Sequence, residues 1–163
     1  LSERMADGGW NCEAENGSLV SSIDTTINVL DGIAAFERAT GWSPAVADAL
    51  HTGEEYLLER NLFRRKSTGE VADPQFVDFA FPYYWRYDVL RSLDYFRRRD
   101  RVDPRMEEGI ELIRSKRRPD GRWLLDRIHP GRVHFDLEAP VGAPSRWNTL
   151  RSLRVLDWWD TSA

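Results

Sequence analysis

Apolar residues recur at three- and four-residue spacing in three stretches: Ile23, Ile27, Leu30, Ile33, Ala34 and Phe36; Trp85, Val89, Leu93 and Phe96; and Trp147, Leu150, Leu153 and Leu156. A period near 3.6 residues predicts amphipathic helices. A second set follows the first two stretches, with Val46, Leu50, Tyr56 and Leu57 behind Ser43-Pro44, and Met106, Ile110 and Ile113 behind Asp103-Pro104. Ser or Asp accepts an unpaired backbone N–H at a helix start, and proline at the first helical position has no N–H to leave unpaired. Ser21 or Ser22 and Ser145 are the corresponding caps of the first and last stretches. Loops rich in Gly, Pro and Asp connect these segments at 7–19, 66–82 and 119–144. Only 132–137 has a trace of the alternation of a strand, so the pattern predicts an all-α chain with roughly two thirds of its residues in helices or their caps.

The stretches are also related to one another. Arg86-Tyr87-Asp88-Val89-Leu90-Arg91-Ser92-Leu93 aligns without a gap on Arg146-Trp147-Asn148-Thr149-Leu150-Arg151-Ser152-Leu153, sixty residues on. Sixty residues earlier, Asn28, Leu30 and Ile33 keep the same polar and apolar pattern, and Phe63 stands where Trp123 stands in the later copy. A fixed period of this length predicts stacked supersecondary units, here helical hairpins over about 7–62, 63–118 and 119–163 of a single repeat domain. Hairpins bury their faces only against neighbours. Leu153, Val155, Leu156, Trp158 and Trp159 in the last helix therefore lead us to expect either a fragment of a larger array or pairing with a second protein chain.

Composition narrows the function classes. Hydrophobic residues make up 41% of the chain, enough for a real core, and no apolar run approaches the roughly 20 residues of a membrane span. Lys and Arg number 23 against 27 Asp and Glu, so the net charge of -4 gives no global support for nucleic-acid binding. Cys12 is the single cysteine, which excludes an internal disulfide and fits a reducing, cytoplasmic setting. All basic residues but Lys66 and Lys116 are arginine, a bias expected of a GC-rich genome.

Asp7-Gly8-Gly9-Trp10-Asn11-Cys12, Ser21-Ser22-Ile23-Asp24-Thr25-Thr26 and Asp120-Gly121-Arg122-Trp123 resemble the repeat of the squalene cyclase and protein prenyltransferase superfamily, in which a D-G-x-W loop leads into a helix beginning near S/D-x-x-T. The resemblance covers nearly the whole chain and about half the repeats of a complete ring. It implies part of an α/α toroid whose first helices line a cavity, and an apolar or isoprenoid small molecule as ligand. Read physically, the glycines permit a tight turn that swings Trp10 and Trp123 onto the adjoining helices as clamps.

The resemblance also supplies candidate chemistry. A class II cyclase needs a strong acid in a dry, aromatic-lined cavity, and Asp24 occupies the place of that acid, with Asp88 at the matching start of the next first helix. The flanking carboxylates of the family motif are absent here, and a first-turn Asp also serves simply to complement the helix dipole. A prenyltransferase-like zinc set is not assembled by Asp24, Asp88, Asn148, Cys12, His51, His129 and His134, so a metal-independent protein without cofactor is expected. Arg86 and Arg146 are equivalent by repeat and are candidates to bind a diphosphate, or else to pair with Asp88, Asp136 or Glu138. Phe76, Phe79, Phe81, Tyr83, Tyr84, Trp85 and Tyr87 form a dense aromatic segment, either a hydrocarbon pocket or a packing seam. Tyr84, Trp85 and Tyr87 from this segment, with Trp147 and Asn148 at the start of the last stretch, are substrate-binding candidates. Against a cyclase-like or prenyltransferase-like enzyme stands a non-catalytic helical-repeat module that binds a partner chain, and, as a third class, carbohydrate chemistry on two carboxylates.

Overall fold

A computed structural model describes residues 1–131 and 133–162. Among them five α-helices account for most of the regular structure: α1 (Ile23–Thr40), α2 (Pro44–Leu58), α3 (Val89–Arg99), α4 (Glu107–Ser115) and α5 (Arg146–Ser162). About half of the chain is helical, less than the two thirds expected, because long irregular segments precede α3 and α5. Among the described residues the only ladder is a two-stranded antiparallel pair, β1 (Trp123–Leu124) with β2 (Pro144–Ser145), in the register Trp123↔Ser145. The expected extended segment at 132–137 is not a strand over 133–137, and Arg132 lies outside the described residues.

Local chemistry sets the helix starts. Ser22 accepts the N–H of Thr25 ahead of α1, Ser43 that of Val46 ahead of Pro44 and α2, and Asp88 that of Arg91 ahead of α3. Asp103 caps a short 3-10 turn, Pro104–Met106, that runs into α4. Ser145 accepts the N–H of Asn148 in the first turn of α5. The cap at Asp88 means that α3 begins after Trp85, which is 58% exposed and does not continue the helical stripe predicted for it. Tyr84, at φ +49, turns the chain just before the cap.

The chain divides into two compact units, Leu1–Arg60 and Asn61–Ala163. In the first, α1 packs on α2 around Trp10, Ile27, Leu30, Leu50 and Leu57. Gly53 makes this contact possible, since a Cβ there would lie 2.6 Å from the Trp10 ring and 2.9 Å from Leu30. In the second, α3 packs on α4 and α5, and the core contains Phe79, Leu90, Leu93, Phe96, Ile110, Ile113, Trp123 and Val155.

One loop geometry occurs in both units. Asp7 accepts the backbone N–H of Gly9, Gly8 takes φ +95, and the N–H of Trp10 donates to Thr26 Oγ1 at 3.0 Å in the first turn of α1. Asp120 accepts the N–H of Arg122, Gly121 takes φ +80, and the N–H of Trp123 donates to Thr149 Oγ1 at 3.1 Å in the first turn of α5. The aspartate closes an Asx turn, glycine supplies the left-handed residue, and the tryptophan is stapled to the next helix. Both rings are buried, and the Trp123 indole N–H donates to the carbonyl of Ile113 in α4. Asn61, sixty residues before Gly121, has φ +43 and precedes the buried Phe63 by two positions. Asparagine is a common non-glycine occupant of that region.

Candidate functional site

Of the apolar stripe predicted for α5, Leu156 is buried and the other three members are not. Trp147, Leu150 and Leu153 are 40%, 38% and 42% exposed, whereas Asn148, Arg151, Ser152, Val155, Leu156 and Trp159 point inward. The inward set also keeps three- and four-residue spacing, so the helix is rotated to bury one polar and one apolar half-face. The polar half meets α3, where Asp88, Arg91 and Ser92 are also buried.

Asp88 is the hub of this cluster and is 1% exposed. Its Oδ1 accepts the N–H of Arg91 at 2.6 Å and its Oδ2 that of Ala80 at 3.2 Å, while Arg151 Nη2 stands 3.7 Å from Oδ1. Burial pushes the Asp88 carboxyl up, against the pull of Arg151, the two N–H donors and Arg91. Arg91 and Arg151 both stack on Tyr83, their guanidinium carbons 4.6 and 4.8 Å from the ring centre. Arg91 Nη1 donates to the carbonyl of Arg86, and Arg151 Nη1 to that of Ala80. Asp88 therefore caps α3 and organises buried arginines; its oxygens face the backbone and guanidinium groups that use them.

From Tyr83 the aromatic contacts continue outward. Tyr83 meets Phe81 edge to face at 6.4 Å, and Phe81 stacks on Trp147 at 5.0 Å with the planes 17° apart. Phe81 forms one wall of a small cleft of about 70 Å³, open to solvent and lined also by Pro82, Tyr84, Ile128, Leu137 and Glu138. This volume takes one end of an apolar chain rather than a whole small molecule, and most of the lining is apolar. Glu138 Oε1 accepts the N–H of Trp147, and Arg146 Nη2 donates to the carbonyl of Leu137. Lys116 and the N–H of Phe79 both donate to Asp126, tying the segment before the cleft to the one beneath it.

The predicted residues thus fall into separate groups. Tyr84 lines the cleft, and Trp147 and Arg146 support its walls. Exposed Trp85 stacks on half-buried Arg86, the guanidinium 3.9 Å from the ring centre. Arg86 and Arg146 are held by different partners, and among the described residues no ion pair joins either to Asp88, Asp136 or Glu138. Tyr87 is buried in the core, its hydroxyl donating to the carbonyl of Leu62. Asn148 is fully buried and its amide donates to the carbonyls of Phe79 and Leu124, which makes it a backbone clamp. Asp24 sits half-buried in the first turn of α1, in the Leu1–Arg60 unit. Among the described residues no group of three or more His, Cys, Asp or Glu is placed to hold a metal.

Arg91 and Arg151 were not singled out from the sequence as site residues, and Tyr83 only as a member of the aromatic segment. The signal was the gap-free recurrence of Arg-Ser at 91–92 and 151–152, at positions a helical wheel built on the apolar residues turns outward. No family model, curated protein or solved structure matches this chain. No helix among the described residues is long and apolar enough to cross a membrane.

Proposed function

We propose that the chain is a segment of an α/α toroid of the squalene cyclase and prenyltransferase type, and that it holds an isoprenoid or similar apolar small molecule without converting it through Asp24 or Asp88. The carrying observation for the ligand is the cleft, which has room for one end of such a chain: its lining is mostly apolar, and its Phe81 wall is braced by Trp147 on one side and Tyr83 on another. The recurrence of the Asp-Gly turn and the tryptophan-to-threonine staple in both units supports the repeat reading. Holding is preferred to conversion because Asp88 spends both oxygens on backbone donors and Asp24 is half-exposed. An acid for alkene protonation needs its proton aimed into a dry cavity.

Farnesol or another prenol titrated into the protein should bind saturably and quench tryptophan emission, and Trp147→Phe should remove most of that change. Phe81→Ala should weaken binding by about tenfold, the loss expected for one aromatic wall worth 1–2 kcal/mol. Saturable binding left intact by Phe81→Ala and by Tyr84→Ala would place the ligand elsewhere. Absence of saturable binding would remove the reading and leave a module for a partner chain ahead.

A further inference from the structure

We propose that the outward face of α1 is a docking site for α5 of a second copy of this chain, in a head-to-tail contact between the acidic unit of one molecule and the basic unit of the next. Leu1, Val46 of α2 and Gly32, Ile33 and Phe36 of α1 line an open groove of about 330 Å³ whose surface is almost wholly apolar. Phe36 is 56% exposed. Gly32 lies mid-helix, where glycine destabilises the helix relative to alanine, yet a Cβ there would meet nothing within 4 Å. No packing among the described residues calls for that glycine. A helix arriving from outside does, because the distance between two helix axes is set by the side chains at their contact. By helical position, Asp24 and Asp31 border this face on one side and Glu37 on the other, with Arg38 beside Asp31.

The face that fits this groove lies on α5. Trp147, Leu150 and Leu153 are exposed there at three-residue spacing and form an apolar ridge, bordered by exposed Arg146 and Arg154, with Asp157 a turn further on. An amphipathic helix that lies in an apolar groove presents anchors in this pattern. The charges are complementary: residues 1–60 hold 3 Lys and Arg against 11 Asp and Glu, and residues 61–163 hold 20 against 16. Opposite charge on the two units steers their encounter, and like charge disfavours α1 meeting α1. A contact between unlike faces leaves one face of each kind free on a pair of molecules, so association continues until a ring closes. Leu150 and Leu153 line no part of the cleft, so the contact stands or falls separately from the prenol reading.

Analytical ultracentrifugation of the full chain over a range of concentrations tests this. The average mass should rise above that of the monomer, more steeply at low salt than at high salt. Phe36→Glu and Leu150→Glu, both at exposed positions, should each weaken association by at least about tenfold, and Val102→Glu, the same change of charge at an exposed position outside both helices, should leave it unchanged. Gly32→Leu fills the groove while favouring the helix, so it should abolish association without lowering the melting temperature. An equimolar mixture of Phe36→Glu and Leu150→Glu decides the polarity of the contact. Each variant supplies the face the other lacks, so the mixture should form a dimer and grow no further. A wild-type chain that stays monomeric at every concentration overturns the proposal, and saturable farnesol binding lost in Gly32→Leu would then give the groove to a small molecule. Association untouched by Leu150→Glu, or a mixture that stays monomeric, overturns it as well.

Discussion

Asp24 and Asp88 show how two carboxylates at matching helix starts take different roles from their surroundings. Asp88 is enclosed and serves as cap, acceptor for Ala80 and counter-charge to Arg151. Asp88→Ala should cost about 3–5 kcal/mol in urea unfolding, because it strands a buried guanidinium and two backbone donors. Asp24→Asn should cost at most about 1 kcal/mol and leave prenol binding unchanged. The pH dependence should separate Asp88 from the salt-bridged acids. Burial raises its folded pKa, so its favourable contribution is full below the unfolded carboxyl value and is lost as pH climbs through the folded one. Glu108 behaves oppositely: the forked hydrogen bonds from Arg64 hold its carboxyl low, so its contribution is present above the unfolded value and fades as pH falls. Denaturant midpoints across the carboxyl range should therefore lose their acid-side slope in part in Glu108→Gln, an effect kept small by solvent at this part-exposed pair.

At the scale of elements, the helices and their caps were largely legible and the orientation of α5 was not. Ser43-Pro44 and Asp103-Pro104 start helical turns as read, because capping depends on a few neighbouring atoms. The inward face of α5 depends on what α3 offers, and α3 offers Asp88, Arg91 and Ser92. Apolar periodicity cannot see polar groups that bury one another, so Trp147, Leu150 and Leu153 were assigned inward and Arg151 was missed. Likewise β1 and β2 are two residues each, too short to show alternation. The staple between loop and helix was legible only as a motif; its hydrogen bond was not. Thr26 is fully buried, and Thr26→Val should cost about 1–3 kcal/mol by leaving the Trp10 N–H without an acceptor, while Thr26→Ser should recover most of the loss. Equal midpoints for the two variants in thermal unfolding would assign the site to packing alone.

For the whole molecule, the division into two compact units separates what each can be tested for. The cleft, the aromatic wall and the Asp88–Arg151 cluster all lie within Asn61–Ala163, together with a core of their own. A 61–163 fragment should therefore retain cooperative unfolding and bind a prenol within about threefold of the full chain, since no cleft residue is lost. Isothermal titration of both chains checks this, and a fragment that folds but does not bind would show that residues before Asn61 complete the site. The net charge of -4 divides unevenly: residues 1–60 hold 3 Lys and Arg against 11 Asp and Glu, and residues 61–163 hold 20 against 16, a small excess among many local ion pairs.

The two staples enclose very different lengths of chain. Trp10 and Thr26 are 16 residues apart, Trp123 and Thr149 are 26 apart, yet the closing hydrogen bonds agree within 0.1 Å. The extra length between Trp123 and Thr149 is where Ile128, Leu137 and Glu138 reach the cleft. A segment pinned at both ends can gain, lose or exchange residues without disturbing the helix it leads into, since loop closure depends only weakly on length. Such a segment is a natural insertion cassette: evolution, or a randomised library spanning 126–142, could rewrite ligand preference while the surrounding scaffold stays the same.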